Sequence, residues 1–455
     1  MRIEKDFLGE MSVPDEALYG IHTVRALENF PLGMRAQPEL IRALAQVKKA
    51  AALANKKTKK LEGRLAEAIA AACDEVVGGM HRAHFPLSPI QGGAGTSLNM
   101  NLNEVLANRA SELLGCERGG VHPLDHVNLG QSTNDVFPTA IRIAVVQQLL
   151  LLEKNIRSLQ EAFQAKEKQF AGIYKVGRTQ LMDAVPLTLG NAFGAFAEAL
   201  SRDRWRVYTV EERLRQTNLG GTAVGTGMNT DRRYVFAVTD ALREVTGINF
   251  ARSENAIDLT QNADVFAEVS GCLKTLAVSL TKIANDLRLL ASGPEAGIGE
   301  IFLPAVQVGS SIMPGKINPV VPEFLNQIAF RVMGNDLVVT LAASAGQLEL
   351  NAMLPVLVHA LLESLTLLNA GIPVFREKAV EGITANEQRC AEGLEKSWVL
   401  AAQLVSRLGY DRVSNIVEEA QRTKRSVKEI VLEGREITEE EYDNLFELER
   451  LSRAE

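Results

Sequence analysis

The sequence predicts a mainly α fold with a bundle of long helices at its centre. Two apolar seams carry that reading. Val145, Leu149, Leu152, Ile156, Leu159 and Phe163 are spaced 4-3-4-3-4, and Val269, Leu273, Leu276, Leu280, Ile283, Leu287 and Leu290 are spaced 4-3-4-3-4-3. A repeat averaging about 3.5 residues marks helices packed along a shared seam. The third observation is the weakness of strand signals, which predicts only a few short strands, placed in the first domain. The second seam helix is also apolar on its flanks, at Cys272, Ala277, Val278 and Ala284. A helix apolar on more than one face is buried on more than one face. That points to a bundle shared between subunits.

With 455 residues the chain can hold two or three domains. Residues 1–137 read as a mixed, mostly helical N-terminal domain. It opens on a loop-like stretch with Tyr19, Gly20 and His22, followed by helical patterns at 38–56 and 62–78. Two polar, glycine-bearing stretches come next, at 91–101 and 126–135. Residues 138–385 read as the bundle domain. Gly293-Pro294 ends its second seam helix, and further helical patterns cover 319–342 and 354–368. Residues 386–455 read as a small helical tail, dense in Glu, Arg and Lys between 418 and 448.

Composition excludes several classes of function. The chain carries 49 basic and 56 acidic residues, a net charge of −7, and no long Lys/Arg run, which argues against a nucleic-acid partner. Lys56-Lys57-Thr58-Lys59-Lys60 reads as a solvated helix end. Cys73, Cys116, Cys272 and Cys390 lie far apart without metal-ligand spacing and read as buried or free thiols. No apolar signal region opens the chain, no uninterrupted apolar run is expected to reach membrane-spanning length, and the best candidate, 354–368, is broken by His359 and Glu363. The expectation is a cytoplasmic protein with no membrane partner. None of the six histidines is spaced from another as in a zinc motif, so no metal site is expected, although His81 and His84 could face one another on a helix.

The stretch Gly309-Ser310-Ser311-Ile312-Met313-Pro314-Gly315-Lys316-Ile317-Asn318-Pro319 sits between long helical patterns. It gathers two hydroxyls, a lysine and an amide with little bulk. Gly309 and Gly315 can take φ > 0. Asn318 followed by Pro319 reads as an N-cap and first helical residue, whose free N–H groups favour an anion. The stretch thus reads as a mobile anion-binding loop carrying Ser310, Ser311 and Lys316; the plainer alternative is a solvated interhelix loop. It is not a nucleotide phosphate loop: five residues separate its glycines and Ile317 follows the lysine.

Three other polar stretches lie at the edges of helical runs: Gly95-Thr96-Ser97, Ser132-Thr133-Asn134 and Gly177-Arg178-Thr179-Gln180. Hydroxyls, amides, backbone N–H groups and one lysine suit a small carboxylate ligand. No Ser-His-Asp arrangement or Gly-x-Ser-x-Gly elbow appears, so acyl transfer is not expected. Gly220 to Asn229 lacks a surrounding βαβ pattern and reads as a glycine-rich turn that can also line a pocket.

Along nearly its whole length the chain resembles the aspartase/fumarase superfamily. The signature GSS-x-MP-x-K-x-N stands here as Gly309 to Asn318. The resemblance implies a three-domain, mostly helical fold, and a homotetramer whose active sites draw on three subunits. It implies anti elimination of an amine or hydroxyl β to a carboxylate, giving fumarate without a cofactor. Tyr19-Gly20-Ile21-His22-Thr23, Gln91 to Ser97, Gln131 to Asp135 and Glu349 to Met353 resemble the ammonia-lyase branch acting on L-aspartate. A hydro-lyase acting on malate is the alternative, and a non-catalytic structural oligomer the remote one. By resemblance Ser310 is the base. Thr96, Ser132, Thr133 and Ser311 bind the β-carboxylate, Thr179, Lys316 and Asn318 the α-carboxylate, and Asn134 and Gln180 the amino group. Asn191-Ala192 and Leu354 depart from the family pattern, which bears on substrate preference and regulation.

Overall fold

The structure is a computed structural model that describes residues 1–445, without the side chains of 399, 400, 443 and 444. The end of the charged stretch at 418–448, and the last residues of the expected tail domain, lie outside the described residues. Helices dominate, and both predicted seams are helical. The first lies in Thr133–Gln169, where Val145, Leu149, Leu152, Ile156, Leu159 and Phe163 are at most 1% exposed. The second lies in Asp264–Leu290, where Val269 through Leu287 of the seam are equally buried and Leu290 is half-buried. On its flanks Ala277 and Ala284 are buried, whereas Val278 is exposed. Pro38–Lys57 and Gly63–Val77 match their predicted patterns within a residue. The later patterns extend further than predicted, as Val320–Ser344 and Leu354–Lys378.

The chain forms two compact units. The first comprises Met1–Lys154, Arg204–Ala277 and Ile328–Ala370; the second comprises Asn155–Asp203, Val278–Gln327 and the residues from Gly371 onward. The division falls inside five long helices: Thr133–Gln169, Leu189–Arg213, Asp264–Leu290, Val320–Ser344 and Leu354–Lys378. The core of the second unit includes a cluster of Phe163, Phe170, Phe193, Phe196 and Phe375, with centroids 5.2–6.4 Å apart. Edge-to-face contacts of this kind add to the area that rings bury.

Strands are few, but they are not confined to the first domain. Arg2–Asp6 pairs antiparallel with Gly9–Val13 as expected there. A second hairpin, Tyr174–Thr179 with Met182–Thr188, lies in the middle of the chain. It overturns the reading of Gly177 to Gln180 as a helix edge. Its two-residue turn is Gln180-Leu181, with φ of +55° and +64°. Such turns need φ > 0 at both positions and ordinarily announce themselves by Asn or Gly; here neither is present. Two shorter pairings join Gln216–Thr217 to Ala251–Arg252 and Ile301–Phe302 to Thr384–Ala385.

Thr133–Gln169 and Leu354–Gly382 are long and apolar enough, by length and composition alone, to cross a membrane. Their most apolar windows are 78% and 61% buried within the protein. Bundle helices buried on several faces acquire this composition. The departures from the family pattern also find local places. Asn191 caps the start of Leu189–Arg213, accepting from Thr188 N at 3.1 Å while its own N–H donates to Thr188 Oγ1 at 2.9 Å. Leu354 is buried at the start of its helix.

Candidate active site

Of the ten candidate residues, Thr96, Ser132, Thr133 and Asn134 belong to the first unit, and Thr179, Gln180, Ser310, Ser311, Lys316 and Asn318 to the second.

In the first unit, Asp135 organises the entry to the Thr133–Gln169 helix. Its Oδ1 accepts from Ser132 N, and its Oδ2 accepts from Gly220 N and Thr222 N, each at 3.0 Å. Burial pushes the Asp135 carboxyl up to about 6, against the three N–H donors that favour its charged form. Ser132 Oγ accepts from Asn134 N at 3.2 Å, and Asn134 Nδ2 donates to Ala223 O at 2.8 Å. Pro138, inside this helix, has no N–H to give the carbonyl four residues back. That carbonyl, Asn134 O, accepts instead from Asn218 Nδ2 at 3.0 Å. The glycine-rich turn at 220–227 is therefore bonded to the Ser132-Thr133-Asn134 segment, and it lines a cleft of about 470 Å³ together with Asn218, Arg232, Phe236 and Arg252.

Thr96 is exposed at the first position of Thr96–Leu114. The helix starts at Gly95, with φ +94°, where a Cβ would fall 2.5 Å from the Phe137 ring. One turn on, Asn99 Nδ2 donates to Thr133 Oγ1 at 3.0 Å, joining the Thr96 helix to the second polar stretch. Beneath them, Asn128 Oδ1 accepts from Lys48 Nζ at 2.8 Å and from Asn103 Nδ2 at 3.2 Å. Lys48 Nζ also donates to Gln131 Oε1 at 2.9 Å. Lys48 is fully buried, and burial pushes its ammonium down to about 7.

In the second unit, Thr179 and Gln180 lie exposed at the tip of the Tyr174–Thr188 hairpin. The Gly309–Asn318 loop closes on itself. Gly309 N donates to Lys316 O at 2.9 Å, and Asn318 Nδ2 donates to Gly309 O at 2.6 Å. The Asn318 side chain thus fastens the loop rather than capping the next helix, which begins at Val320. Gly315 takes φ +79°, as expected for a turn glycine. Gly309 does not take positive φ; it is required because a Cβ there would fall 2.5 Å from Lys316 O. Ser310 Oγ accepts two backbone N–H bonds, from Ile312 at 3.2 Å and Met313 at 2.9 Å. Both favour a negatively charged oxygen. Ser311 and Lys316 are exposed, and the Lys316 ammonium has no ion pair among the described residues.

His81 and His84 lie with ring centroids 6.2 Å apart, but His81 Nε2 is 2.7 Å from Glu75. Among the described residues no group of three His, Cys, Asp or Glu could hold a metal. None of the four cysteines forms a disulfide, and Cys73 and Cys390 are buried.

The supporting residues Lys48, Asn99 and Asp135 were not among the candidates. Two left signals in the sequence. Ser132 and Asp135 have the spacing of a helix entry bonded reciprocally. Lys48 falls on the apolar side of its helix, four residues after Leu44 and four before Ala52. Asn99 left none, because its partner Thr133 is remote in the chain.

A family model described as Lyase matches residues 9–334, and one described as Fumarase C C-terminus matches residues 400–453. The chain is 47% identical over 450 residues to an aspartate ammonia-lyase of Bacillus sp, covering 98% of this chain and 96% of that one. It is 46% identical to the aspartate ammonia-lyase of Escherichia coli K12 over 458 residues, covering 99% and 96%. Among solved structures, a cobalt-bound fumarate lyase:delta crystallin from Brucella melitensis superimposes with a TM-score of 0.96 at 46% identity, over the whole of both chains. A class II fumarase from Schistosoma mansoni superimposes with a TM-score of 0.95 at 34% identity, covering 99% of each.

Proposed function

The chain belongs to the aspartase/fumarase superfamily of lyases, and we propose from that premise that it is an aspartate ammonia-lyase, converting L-aspartate reversibly to fumarate and ammonia. The observation that carries this reading is near-full-length identity of 46–48% to aspartate ammonia-lyases. The solved class II fumarase is 34% identical.

The chemical difficulty is the weakly acidic proton on Cβ of aspartate. Its removal places a second negative charge on the β-carboxylate. The site must hold that dianion more strongly than the substrate. Ser310 Oγ, as an alkoxide, takes the Cβ proton. The two N–H groups donating to it, with Lys316 of the same loop, supply the positive potential an alkoxide needs. Thr96, Ser132, Thr133 and Ser311 donate to the developing β-carboxylate dianion. Thr179, Lys316 and Asn318 hold the α-carboxylate. Asn134 and Gln180 orient the amino group. The electron pair left on Cβ becomes the new C=C bond as the C–N bond breaks, and the protonated amine leaves as neutral ammonia.

The working form in this proposal is a homotetramer with shared active sites. Its support is an unpartnered apolar face: Phe330, Leu337 and Leu341 on the Val320–Ser344 helix are each 57–62% exposed. Their 7-4 spacing continues a bundle seam. Contributions from other copies also account for candidate residues that lie open to solvent on one chain.

The test offers L-aspartate and L-malate in parallel to the pure protein and follows fumarate by ultraviolet absorbance. Fumarate from aspartate alone supports the ammonia-lyase. Fumarate from malate alone makes the enzyme a fumarase, and fumarate from neither points to another amine or succinyl substrate. Light scattering of the same sample reads the assembly, and a monomer would refute the shared-site arrangement.

A further inference from the structure

We infer that Glu300 is a positioning residue of this site: it ties the hairpin that presents Thr179 and Gln180 to the segment leading into the Ser310 loop. The inference rests on the reading of Thr179 and Gln180 as substrate contacts.

Glu300 is 1% exposed. Its Oε1 accepts from Arg178 Nη1 at 2.7 Å. Lys175 Nζ lies 2.9 Å from Oε2 as an ion pair and also donates to Val176 O at 2.7 Å. The side chain therefore ends on the hairpin. The backbone of the same residue is pinned elsewhere. Glu300 N donates to Leu290 O, and Glu300 O accepts from Asn386 N, both at 2.9 Å. The next residues, Ile301–Phe302, pair with Thr384–Ala385. Just upstream, Arg389 donates to Ile298 O at 3.0 Å and to Gly297 O at 2.9 Å. One residue thus joins the end of a long helix, the 384–389 segment and the hairpin, shortly before the chain enters the loop.

The hairpin is shaped for this contact. On a regular strand, residues three apart point to opposite faces. Between Val176 and Arg178 the register shifts, with the extra residue on the facing strand between Asp183 and Pro186, and the added twist of such a bulge accompanies the approach of both Lys175 and Arg178 to one carboxylate. Arg178 is the immediate neighbour of Thr179. Beyond it the turn holds two consecutive non-glycine residues at positive φ. Such conformations persist only where the surroundings over-determine them. As a source of stability alone, a buried carboxylate between two cations offers little over apolar side chains of the same volume. What it does provide is directional placement of Arg178, and with it the turn.

The experiment compares wild type, Glu300→Gln and the double variant Glu300→Gln/Lys175→Met. Each is characterised by melting temperature, by kcat and KM for L-aspartate, and by hydrogen exchange of the peptide covering 174–188. Glu300→Gln leaves Lys175 buried without its countercharge and lowers the melting temperature. The double variant removes both buried charges and recovers it. In both variants KM rises about tenfold while kcat changes by less than about threefold, because binding geometry is lost and the base is not. Hairpin exchange quickens in both. A double variant with wild-type KM and wild-type hairpin exchange overturns the inference, and it does so whether or not the single variant folds. Should wild type release no fumarate from aspartate, the substrate reading fails on its own. Hairpin exchange then decides for Glu300: faster exchange supports its role and unchanged exchange refutes it.

Discussion

Asn99 Nδ2 donates to the Thr133 hydroxyl oxygen at 3.0 Å. A hydroxyl has one proton and two lone pairs. With a lone pair engaged by Asn99, Thr133 keeps its one proton to donate to a carboxylate. Asn99→Ala is expected to lower kcat/KM for aspartate about tenfold through Thr133, as expected for one misaligned hydrogen bond to a charged group. Thr133→Ala should cost a similar factor, and the double variant less than the product of the two. A coupling of about 0.5–3 kcal/mol is expected for directly bonded residues. Fully additive effects would show that Asn99 acts elsewhere.

Ser310→Ala removes the proposed base and leaves the backbone donors of its loop in place. Turnover is expected to fall by roughly 100- to 10,000-fold. Aspartate should still bind, as read by isothermal titration. Near-normal turnover would remove Ser310 from the mechanism.

Lys316 contributes charge rather than proton transfer in this arrangement. Lys316→Ala is expected to raise KM for aspartate well above its effect on kcat, the pattern for lost ground-state binding. An unchanged KM would count against the α-carboxylate contact.

The bundle was legible in the sequence because its seams repeat locally. Val145 to Phe163 and Val269 to Leu287 became the buried faces of two long helices, as spaced. The serine loop was legible because its residue types are unusual together. Residues whose role depends on remote partners were not. The Tyr174–Thr188 hairpin turns on Gln180-Leu181, which carry no turn chemistry, so its strands read as a helix edge. Asn318 has the residue type and place of a cap but donates back to Gly309 O, because the close approach at Gly309 brings that carbonyl within reach. Glu300 meets Lys175 and Arg178 only once the hairpin is folded.

Lys48 makes stability depend on pH in a defined direction. Burial lowers its ammonium from 10.5 to about 7. Above pH 7 the folded chain has released this proton, while the unfolded chain keeps it until pH nears 10.5. Unfolding therefore takes up a proton, and this contribution to stability rises with pH across that window. Thermal melts from pH 7 to pH 10 should show a shallower fall, or a steeper rise, in wild type than in Lys48→Met. Parallel curves would show that Lys48 keeps its proton in the folded protein, held by its bonds to Asn128 and Gln131.

Arg142 presents the opposite case to Glu300, a buried charge without a built set of partners. It is 1% exposed, and its Nε, Nη1 and Nη2 have no hydrogen-bond partner among the described residues. The Phe266 ring lies 5.2 Å from its Cζ, and burial pushes the guanidinium down to about 10. Removing a charge from water without acceptors is costly, and a cation–π contact returns only about 2 kcal/mol when desolvated. Methionine fills a similar unbranched volume without the charge. Arg142→Met is therefore expected to stabilise the fold by roughly 1–4 kcal/mol, the range seen when buried ionic groups give way to apolar ones, read as a higher melting temperature. A lower melting temperature would refute this and show that the guanidinium is stabilising where it stands, with the charges of Asp264 and Asp258 as the nearest source.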